Sequence, residues 1–330
     1  MKLSTFLGRA VVAASMSVCA TGALAADNYP SRPVRLVVGF AVGGPTDIVA
    51  RVVANELGKA LGQTVIVENR PGANATIAAA LVARAPADGY TGLIAATNHT
   101  INAVLYRDLP FKSVDDFAPV AAVAVAPTVL VVNKDFPAKD LNEFLQVVRA
   151  NPGKYSYASA GSGGTPHLSA ELFKKLTHTS LVHVPYKGAA PAISDVMAGH
   201  VAMSFATLGS VLPQIKAGQV RALAVAAPQR SPLLPDVPTF AESSSEPELK
   251  QFRLDSWYGL MMPKDTPKAI VDRLASSLQG IARTPEFAAQ MATAGLQPIT
   301  DSTPQSFEKQ LRDEVAQFAD LVKSSNLKID

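Results

Sequence analysis

The chain has 330 residues, of which 48% are hydrophobic, and it balances 30 Lys and Arg against 27 Asp and Glu. A balance this even excludes the strong basic stripe that marks most nucleic-acid-binding proteins. A single cysteine excludes an intramolecular disulfide, so a chain of this length, long enough for about two domains, must be stabilised by its own core.

The first 25 residues have the pattern of an export signal. Lys2 and Arg9 make a basic start, residues 11–20 are small and apolar, and Ala23-Leu24-Ala25 is a small-x-small cleavage site. The apolar stretch is shorter than the roughly 20 residues that a membrane span needs. We therefore expect cleavage after Ala25 and a periplasmic location. Cys19 would leave with the signal, so the mature chain would have no thiol nucleophile and no cysteine metal site.

Strand-like and helix-like segments alternate through the rest of the chain, and no internal repeat stands out. Alternation of this kind predicts right-handed βαβ units, mostly parallel sheets and an α/β fold. The predicted strands are 34–38, 65–68, 92–96, 120–125, 129–132, 155–159, 181–184, 203–206 and 222–226. The predicted helices are 47–61, 75–84, 141–150, 167–176, 189–198, 269–282, 286–294 and 306–324.

Two segments are predicted to connect two separate sheets. These are the region 121–132, which contains Pro127, and the proline-rich stretch 228–238. The domains expected are a signal peptide at 1–25, a discontinuous first lobe at 26–125 and 235–330, and a second lobe at 126–234. Ligands of open α/β sheets sit at the carboxyl ends of strands, so these ends can face each other across a cleft between the lobes.

The first candidate site is a glycine loop, residues 39–47, between a predicted strand and a predicted helix. Gly39 and Gly44 have the spacing of a phosphate-binding P-loop, but Pro45 stands where the lysine belongs, so nucleotide hydrolysis is not expected. What remains is a helix N-terminus whose free N–H groups can hold a carboxylate. The alternative is a plain glycine turn in which Asp47 only caps its helix.

The second candidate is another glycine-rich segment, residues 159–167, again between a strand and a helix. Its centre is close to the hydrolase elbow G-x-S-x-G around Ser162, with Ala160 in place of the first glycine. The close acid and histidine that a hydrolase also needs, Asp195 and His200, lie around one helix end, where a relay is hard to form. A second anion cradle is therefore favoured, and a secreted serine esterase or amidase using Ser162 is the alternative. The hydroxyls of that cradle would be those of Ser159, Ser162 and Thr165.

Three further segments follow predicted strands and are expected near the same cleft. Residues 97–99 would lie at the same sheet end as the first loop, where His99 could contact a ligand or order the loop. Lys187, in segment 184–188, could add positive potential or be simply solvated, and 204–207 would form the pocket floor. The five histidines of the chain form no H-x-x-x-H or H-E-x-x-H pattern, so no metal site is expected.

Taken together, these segments resemble those of a known family. The matching segments, in chain order, are 29–35, 43–47 with Arg51, 68–73, 85–90, 99–102, 105–106, 159–161 with 167–168, 184–188, 216–218 and 234–239. Each is weak alone, but the ordered set runs through nearly all of the chain after the export signal. It is similar to the periplasmic solute receptors of tripartite tricarboxylate transporters, also called the Bug family.

The resemblance implies a type II-like, two-lobe Venus-flytrap periplasmic binding protein with a helix-flanked sheet in each lobe, no catalysis and no cofactor. It implies that the first glycine loop holds a ligand carboxylate through backbone groups and bridging waters, and that the second closes from the other lobe. Ligands would be di- and tricarboxylates, aromatic carboxylates, acidic amino acids or nicotinate-like acids. The partner would be a two-component integral membrane permease, or a sensor kinase if the protein serves sensing, and the receptor would be a monomer.

The residues predicted to contact the ligand are Phe40, Val42, Gly43, Gly44, Thr46, Asp47, Thr97, Asn98, His99, Ser159, Gly161, Ser162, Gly163, Thr165, His167, Tyr186, Ala206 and Thr207. Some positions depart from the family pattern. Gly39 replaces a frequent proline and Val42 a small residue, which implies a looser first loop or a narrower cleft. Ala206 stands where a polar or acidic residue is sometimes found, which disfavours an amino acid ligand.

Overall fold

The computed structural model describes residues 29–106, 108–252 and 254–325. The predicted export signal and its cleavage site lie outside these residues and stay predictions. Within the described part of the chain, no helix is long and apolar enough to cross a membrane.

The regular elements alternate along the chain much as the sequence pattern predicts. The strands are β1 (Val34–Val38), β2 (Val65–Asn69), β3 (Thr91–Ala96), β4 (Phe117–Ala126), β5 (Thr128–Asn133), β6 (Ser156–Ser159), β7 (Val182–Pro185), β8 (Met203–Thr207), β9 (Val220–Ala226), β10 (Ser256–Pro263) and β11 (Gln297–Pro298). The α-helices are α1 (Pro45–Leu61), α2 (Thr76–Ala83), α3 (Asn98–Leu105), α4 (Leu141–Ala150), α5 (Thr165–Thr177), α6 (Ala189–Ala198), α7 (Leu208–Lys216), α8 (Phe240–Ser243), α9 (Lys268–Ala282), α10 (Pro285–Thr293) and α11 (Pro304–Ser325). The pattern missed the strands β10 and β11 and the short helices α3, α7 and α8.

The strands form two sheets, with the order β11-β4-β10-β3-β1-β2 in the first and β7-β6-β8-β5-β9 in the second. In the first sheet β1, β2, β3 and β4 point one way, and in the second β6, β7, β8 and β9 do so. β10 and β5 run antiparallel to both of their neighbours, because each enters its sheet from the other lobe. Both sheets are therefore mixed, and the loops that follow β1 and β6 lie at the carboxyl ends of parallel strands.

The two sheets share one topology, although the sequence shows no repeat. Leaving out the short strand β11, the order β2-β1-β3-β10-β4 in the first sheet corresponds to β7-β6-β8-β5-β9 in the second. In each lobe a central strand is followed by a glycine loop, a long helix and an edge strand: β1, α1 and β2 in the first lobe, and β6, α5 and β7 in the second. The two glycine loops are therefore equivalent parts of two similar lobes.

The long helix behind the first glycine loop is held by an apolar stripe. Val49, Val53 and Leu57, spaced four residues apart on α1, are completely buried in the core of the first lobe. Burying such side chains contributes about 1.5–3 kcal/mol each. The core therefore fixes the helix axis, and with it the direction in which the N-terminus of α1 points.

The chain passes from the first lobe to the second at Pro127, between β4 and β5. We expected the return at 228–238, but Phe240 and Phe252, which follow that stretch, pack in the same core as Phe205 of the second sheet. The packing favours a return near residue 255, directly before β10. The predicted domain limit between residues 234 and 235 stays a prediction, and this packing favours a later one.

Helix α11 joins the two lobes. Phe307 and Leu311 in its first half pack with the first sheet, whereas Phe318 and Leu321 in its second half pack in the core of the second lobe. Between them the half-buried Glu314 accepts hydrogen bonds from the Trp257 indole at 2.7 Å and from the Thr100 hydroxyl at 2.8 Å. The helix is thus anchored to the strand on which the chain returns to the first lobe.

Candidate functional site

A cavity of about 420 Å³ lies between the two glycine loops. We call residues 39–47 the first glycine loop and residues 159–167 the second glycine loop. The predicted site residues that line the cavity are Phe40, Val42, Gly44, Thr46, Thr97, Asn98 and Thr165. Asn74, Ser256 and Tyr258 also line it and were not predicted. Ser256 and Tyr258 belong to β10, which comes from a distant part of the chain and carries no local motif.

The first glycine loop bends at Gly43, where φ is +85°, a conformation that side-chain-bearing residues rarely adopt. Gly44 then caps helix α1 in extended conformation, and Pro45 is its first helical residue. The N–H groups of the first helical turn have no partners within a helix, and those of Thr46 and Asp47 belong to this turn. The loop therefore presents free donors at the positive end of a helix, beside the cavity.

The carboxylate of Asp47 holds this loop from behind. It is 1% exposed and accepts hydrogen bonds from the N–H of Gly43 at 2.9 Å, from Nε of Arg51 at 2.9 Å and from Nδ2 of Asn69 at 2.8 Å. Burial alone would raise the pKa of Asp47, but these three donors outweigh it and lower the pKa to about 2. Nδ2 of Asn69 also donates to the carbonyl of Phe40 at 3.0 Å. Asp47, one of the predicted contact residues, thus positions the loop and is not among the residues that line the cavity.

The expected looseness at Gly39 is not found. A Cβ at Gly39 would lie 2.2 Å from Cβ of Ala75, so glycine is needed there for the close approach of a neighbouring turn. That turn, Ala73–Ala75, has left-handed φ values of 45°, 50° and 70°. The carbonyl of Asn74 accepts bonds from the amides of Asn98 at 2.7 Å and Asn102 at 2.8 Å. Such strained backbone persists only where its surroundings hold it, and here it forms part of the cavity wall.

The second glycine loop repeats the backbone of the first. Gly163 has φ +77°, and Gly164 caps α5 with φ −81° and ψ 166°, against −77° and 167° for Gly44. The N–H of Gly163 donates to Nδ1 of His167 at 3.0 Å, as that of Gly43 donates to Asp47. His167, another predicted contact residue, therefore supports the loop and is not among the residues that line the cavity.

Three rings stack behind the second loop. The rings of His167 and His183 are 3.9 Å apart and nearly parallel, and Tyr157 lies 4.8 Å beyond His183. Burial, together with the charges of His183 and Lys174, lowers the pKa of His167 to about 4. Both imidazoles are neutral at pH 7, so the second loop rests on uncharged rings where the first rests on a carboxylate.

Several predicted contacts lie away from the cavity. His99 is 4% exposed, stacks on Phe111 and has Nε2 2.7 Å from the carbonyl of Ser113, so it is a core residue with a pKa lowered to about 4 by burial. The hydroxyl of Tyr186 donates to Asp195; burial first, and then this bond, raises the pKa of Tyr186 to about 12. Ala206 and Thr207 line a separate cavity of about 20 Å³ in the second lobe.

In the second loop Gly164 also lines the cavity, whereas the predicted contacts Ser159, Gly161, Ser162 and Gly163 do not. Ser159 is buried and its hydroxyl donates to the carbonyl of Gly161 at 2.9 Å, whereas Ser162 is exposed. In the described part of the chain no hydrogen bond joins Ser162 to a histidine, and the lone pair of His167 is occupied by Gly163. The same part holds no group of three or more His, Cys, Asp or Glu side chains that could bind a metal ion.

Comparison with known sequences identifies the family of this chain. The family described as tripartite tricarboxylate transporter family receptor matches residues 49–327. A UPF0065 protein from the tcbD–tcbE intergenic region of Pseudomonas sp. strain P51 is 39% identical over 86% of this chain and 84% of its own length. Protein BugT of Bordetella pertussis strain Tohama I is 35% identical over 99% of this chain and 97% of its own length.

Solved structures agree with the sequence comparison. Periplasmic binding protein BugD is 36% identical with a TM-score of 0.73, over 91% of this chain and 99% of its own. The R. palustris protein Rpa4515, solved with adipate, is 33% identical with a TM-score of 0.77, over 91% and 99%. MatC of Rhodopseudomonas palustris, solved with bound malate, is 32% identical with a TM-score of 0.72, over 89% and 100%.

These likenesses extend over nearly the whole of both chains in each pair, and they confirm the resemblance found in the sequence as well as the two-lobe α/β fold. The family is one of solute-binding receptors and not of enzymes. The chain therefore belongs to the tripartite tricarboxylate transporter receptor (TctC, Bug) family and is a periplasmic solute-binding receptor.

Proposed function

We propose that this receptor captures a small organic carboxylate, namely a di- or tricarboxylate or an aromatic carboxylate, in the cleft between its lobes. One observation carries the proposal: helices α1 and α5 begin at the same cavity, so that Thr46 and Thr165, each in a first helical turn, both line it. Two facing helix N-termini suit a ligand with a negative group at each end. An aliphatic dicarboxylate fits this arrangement best.

The charge of the cavity wall supports the same class of ligand. Among the described residues that line the cavity, none carries a formal charge. Carboxylates would be held by backbone N–H groups, whose hydrogen bonds to a charged partner contribute about 1.5–3 kcal/mol each. Such donors recognise carboxylate in general, so Tyr258, Ser256 and Asn98 on the wall would select the rest of the molecule.

The relatives support the class without naming the ligand. Rpa4515 was solved with adipate and MatC with malate, and both molecules are aliphatic dicarboxylates. These proteins share 33% and 32% identity with this chain, enough for a common cleft and too little to transfer a specific ligand. We also propose that the receptor is a monomer that delivers its ligand to a two-component membrane permease, which is the role of the family. Signalling to a sensor kinase would use the same binding chemistry.

We propose that the ligand contacts the seven predicted residues that line the cavity, together with Asn74, Ser256 and Tyr258. Asp47 and His167 would act on the ligand only through the loops that they hold. We also propose that the second lobe extends from about residue 127 to about residue 255, because the core around Phe205 includes Leu254.

A thermal-shift screen of the purified protein tests the proposal. The panel holds aliphatic di- and tricarboxylates, aromatic carboxylates and acidic amino acids, each beside its fully esterified methyl ester, which has a similar shape and no carboxylate charge. A ligand at 100 times its Kd adds about 2.7 kcal/mol of stability, which for a protein of this size is a shift of a few degrees. One class of acids should shift the melting temperature while its esters do not.

An equal shift by acids and esters, or no shift across the panel, would contradict carboxylate capture. The next test would then be turnover of a generic ester, since Ser162 is exposed on a loop between a strand and a helix. Turnover that is abolished by Ser162→Ala would favour a hydrolase. The absence of turnover in the wild type agrees with the receptor function.

A further inference from the structure

The hydrogen bond between Gly163 and His167 depends on the protonation of one nitrogen. The N–H of Gly163 points at Nδ1 of His167, 3.0 Å away, so Nδ1 must offer a lone pair and the ring proton must be on Nε2. A second proton, on Nδ1, would place the N–H of the ring against the N–H of Gly163. The bond would be lost, and the glycine loop would have to move away from the ring.

The neighbouring histidine holds the other end of the same loop. Oγ of Ser159 lies 2.9 Å from the carbonyl of Gly161, to which it donates, and 2.7 Å from Nε2 of His183, which donates to Oγ when the ring proton is on Nε2. The N–H of Gly161 adds a weaker bond to the same Oγ at 3.3 Å. Gly163 is therefore bound directly to the imidazole of His167, and Gly161 is connected through Ser159 to the imidazole of His183.

The surroundings of the stack disfavour a positive charge on it. Glu171, which could balance such a charge, already accepts from the Tyr157 hydroxyl at 2.6 Å and from Nζ of Lys174 at 2.7 Å. Lys174 adds a positive charge from the same helix, and the rings of His167 and His183 are too close for both to be charged. These four side chains are the titratable groups that face His167: one on β6, one on β7 and two on α5 itself.

We propose that His167 and His183 are positioning residues that form an acid-sensitive latch, in which neutral imidazoles hold the second glycine loop in shape and a proton on His167 releases it. The consequence, loss of ligand from the second lobe in acid, rests on the proposed function. The latch itself is a property of the ligand-free protein. The first glycine loop would not be released in this way, because the carboxylate of Asp47 stays charged and accepts the hydrogen bond from Gly43 at any pH above about 2.

The test observes Gly163 directly in the ligand-free protein. Ser162-Gly163 is the only Ser-Gly pair in the sequence, so ¹³C-carbonyl serine with ¹⁵N-glycine gives one amide signal that belongs to Gly163. Valine and glycine labelled in the same way give two signals, Gly39 and Gly43. As the pH falls from 7.5 to 3.5, the Gly163 signal should move with the same midpoint, near pH 4, as the His167 ring, and the Gly43 signal should stay in place.

The matched control is His167→Asn. The first loop shows that a side chain of this length reaches the loop N–H, since Oδ2 of Asp47 lies 2.9 Å from the nitrogen of Gly43. Asparagine keeps an acceptor and cannot titrate in this range, so the Gly163 signal of the variant should not respond to pH. A merely structural histidine would give no such difference between the two proteins.

Three results would overturn the latch. The Gly163 signal could stay fixed while His167 titrates, or it could move equally in His167→Asn. The whole spectrum could also collapse above the pH at which His167 titrates, which would show that no native state with a released loop exists. None of these results depends on whether the protein binds a carboxylate, which the thermal-shift screen decides separately.

Discussion

The two glycine loops have nearly the same backbone and different chemistry behind it. In both, a glycine with positive φ donates its N–H to the side chain of the third helical residue, Asp47 in the first lobe and His167 in the second. Asp47 is charged and bound by Arg51 and Asn69, whereas His167 is neutral and held by ring stacking. The same backbone turn is thus built twice, once on a carboxylate that stays charged down to about pH 2 and once on an imidazole that is neutral at pH 7.

Removing the charged support should have the largest effect. Asp47→Ala removes the acceptor of three donors, and a hydrogen bond to a charged group contributes about 1.5–3 kcal/mol. We expect a loss of about 3 kcal/mol in the free energy of unfolding and about 100-fold weaker ligand binding, measured by urea titration and calorimetry. Asp47→Asn, which keeps an acceptor for Gly43, should lose much less; equal losses would show that the charge, not the loop bond, is what matters.

At acid pH the residues that support the two loops should contribute differently to the free energy of unfolding. The unfolded chain has a histidine pKa near 6.5, and His167 in the folded protein has one of about 4, so between these values the unfolded chain binds more protons. The contribution of His167 is complete above pH 6.5 and falls on the order of 2 kcal/mol by pH 4.5. His99 acts in the same direction, and Glu314, whose pKa burial raises, acts in the opposite one.

Comparing variants isolates that contribution. Melting curves of the wild type and of His167→Asn, at pH 7.5, 5.5 and 4.5, should diverge because the variant loses less stability in acid. Asp47 does not contribute in this range, since its pKa of about 2 places its own losses below pH 4. Parallel curves would show that His167 is not a source of acid sensitivity.

Valine at the two bending glycines should test whether both loops serve the ligand. Gly43→Val and Gly163→Val force a branched side chain into positive φ, at a cost of about 1–2 kcal/mol each. No other heavy atom lies within 4 Å of a Cβ at Gly43, so this variant should fold and bind at least about 10-fold more weakly. If only one of the two variants weakens binding, the ligand is held by one lobe, and the two loops are alike in backbone conformation only.

The smallest effect is expected at Ser162. It is exposed, and the bonds that shape the second loop run through Ser159, Gly163 and His167. Ser162→Ala should change stability by no more than about 0.5 kcal/mol, as surface substitutions usually do, and should leave ester turnover at the background rate. A large loss of ligand affinity would mean that its hydroxyl enters the closed cleft.

Local patterns found both glycine loops because their chemistry is local. A glycine pair, a proline in the next position and an apolar stripe behind them require a strand, a turn and a helix, whatever the rest of the chain does. The same patterns did not reveal what holds the loops. Asn69 supports the first loop from the end of β2, and His183 supports the second from β7, and each is over 20 residues away from the group that it holds.

The structure separates neighbouring polar residues that follow a strand. His99 and Thr97 are two positions apart, yet Thr97 lines the cavity and His99 faces Phe111 in the core, because the segment begins helix α3 and neighbouring side chains point in different directions. Sequence spacing gives the right end of the sheet there, but not which side chain faces the cleft.

The sequence by itself determined the family, the alternating α/β order and the two glycine loops, since these depend on short motifs and on periodicity. The tertiary structure alone decided which side chains meet in the cleft, where the chain returns to the first lobe and how each loop is supported. The physical reason is one of distance along the chain: β10 brings Ser256 and Tyr258 to the cavity from more than 150 residues beyond β3. Pairing of this kind follows from the packing of whole lobes and leaves no local mark in the sequence.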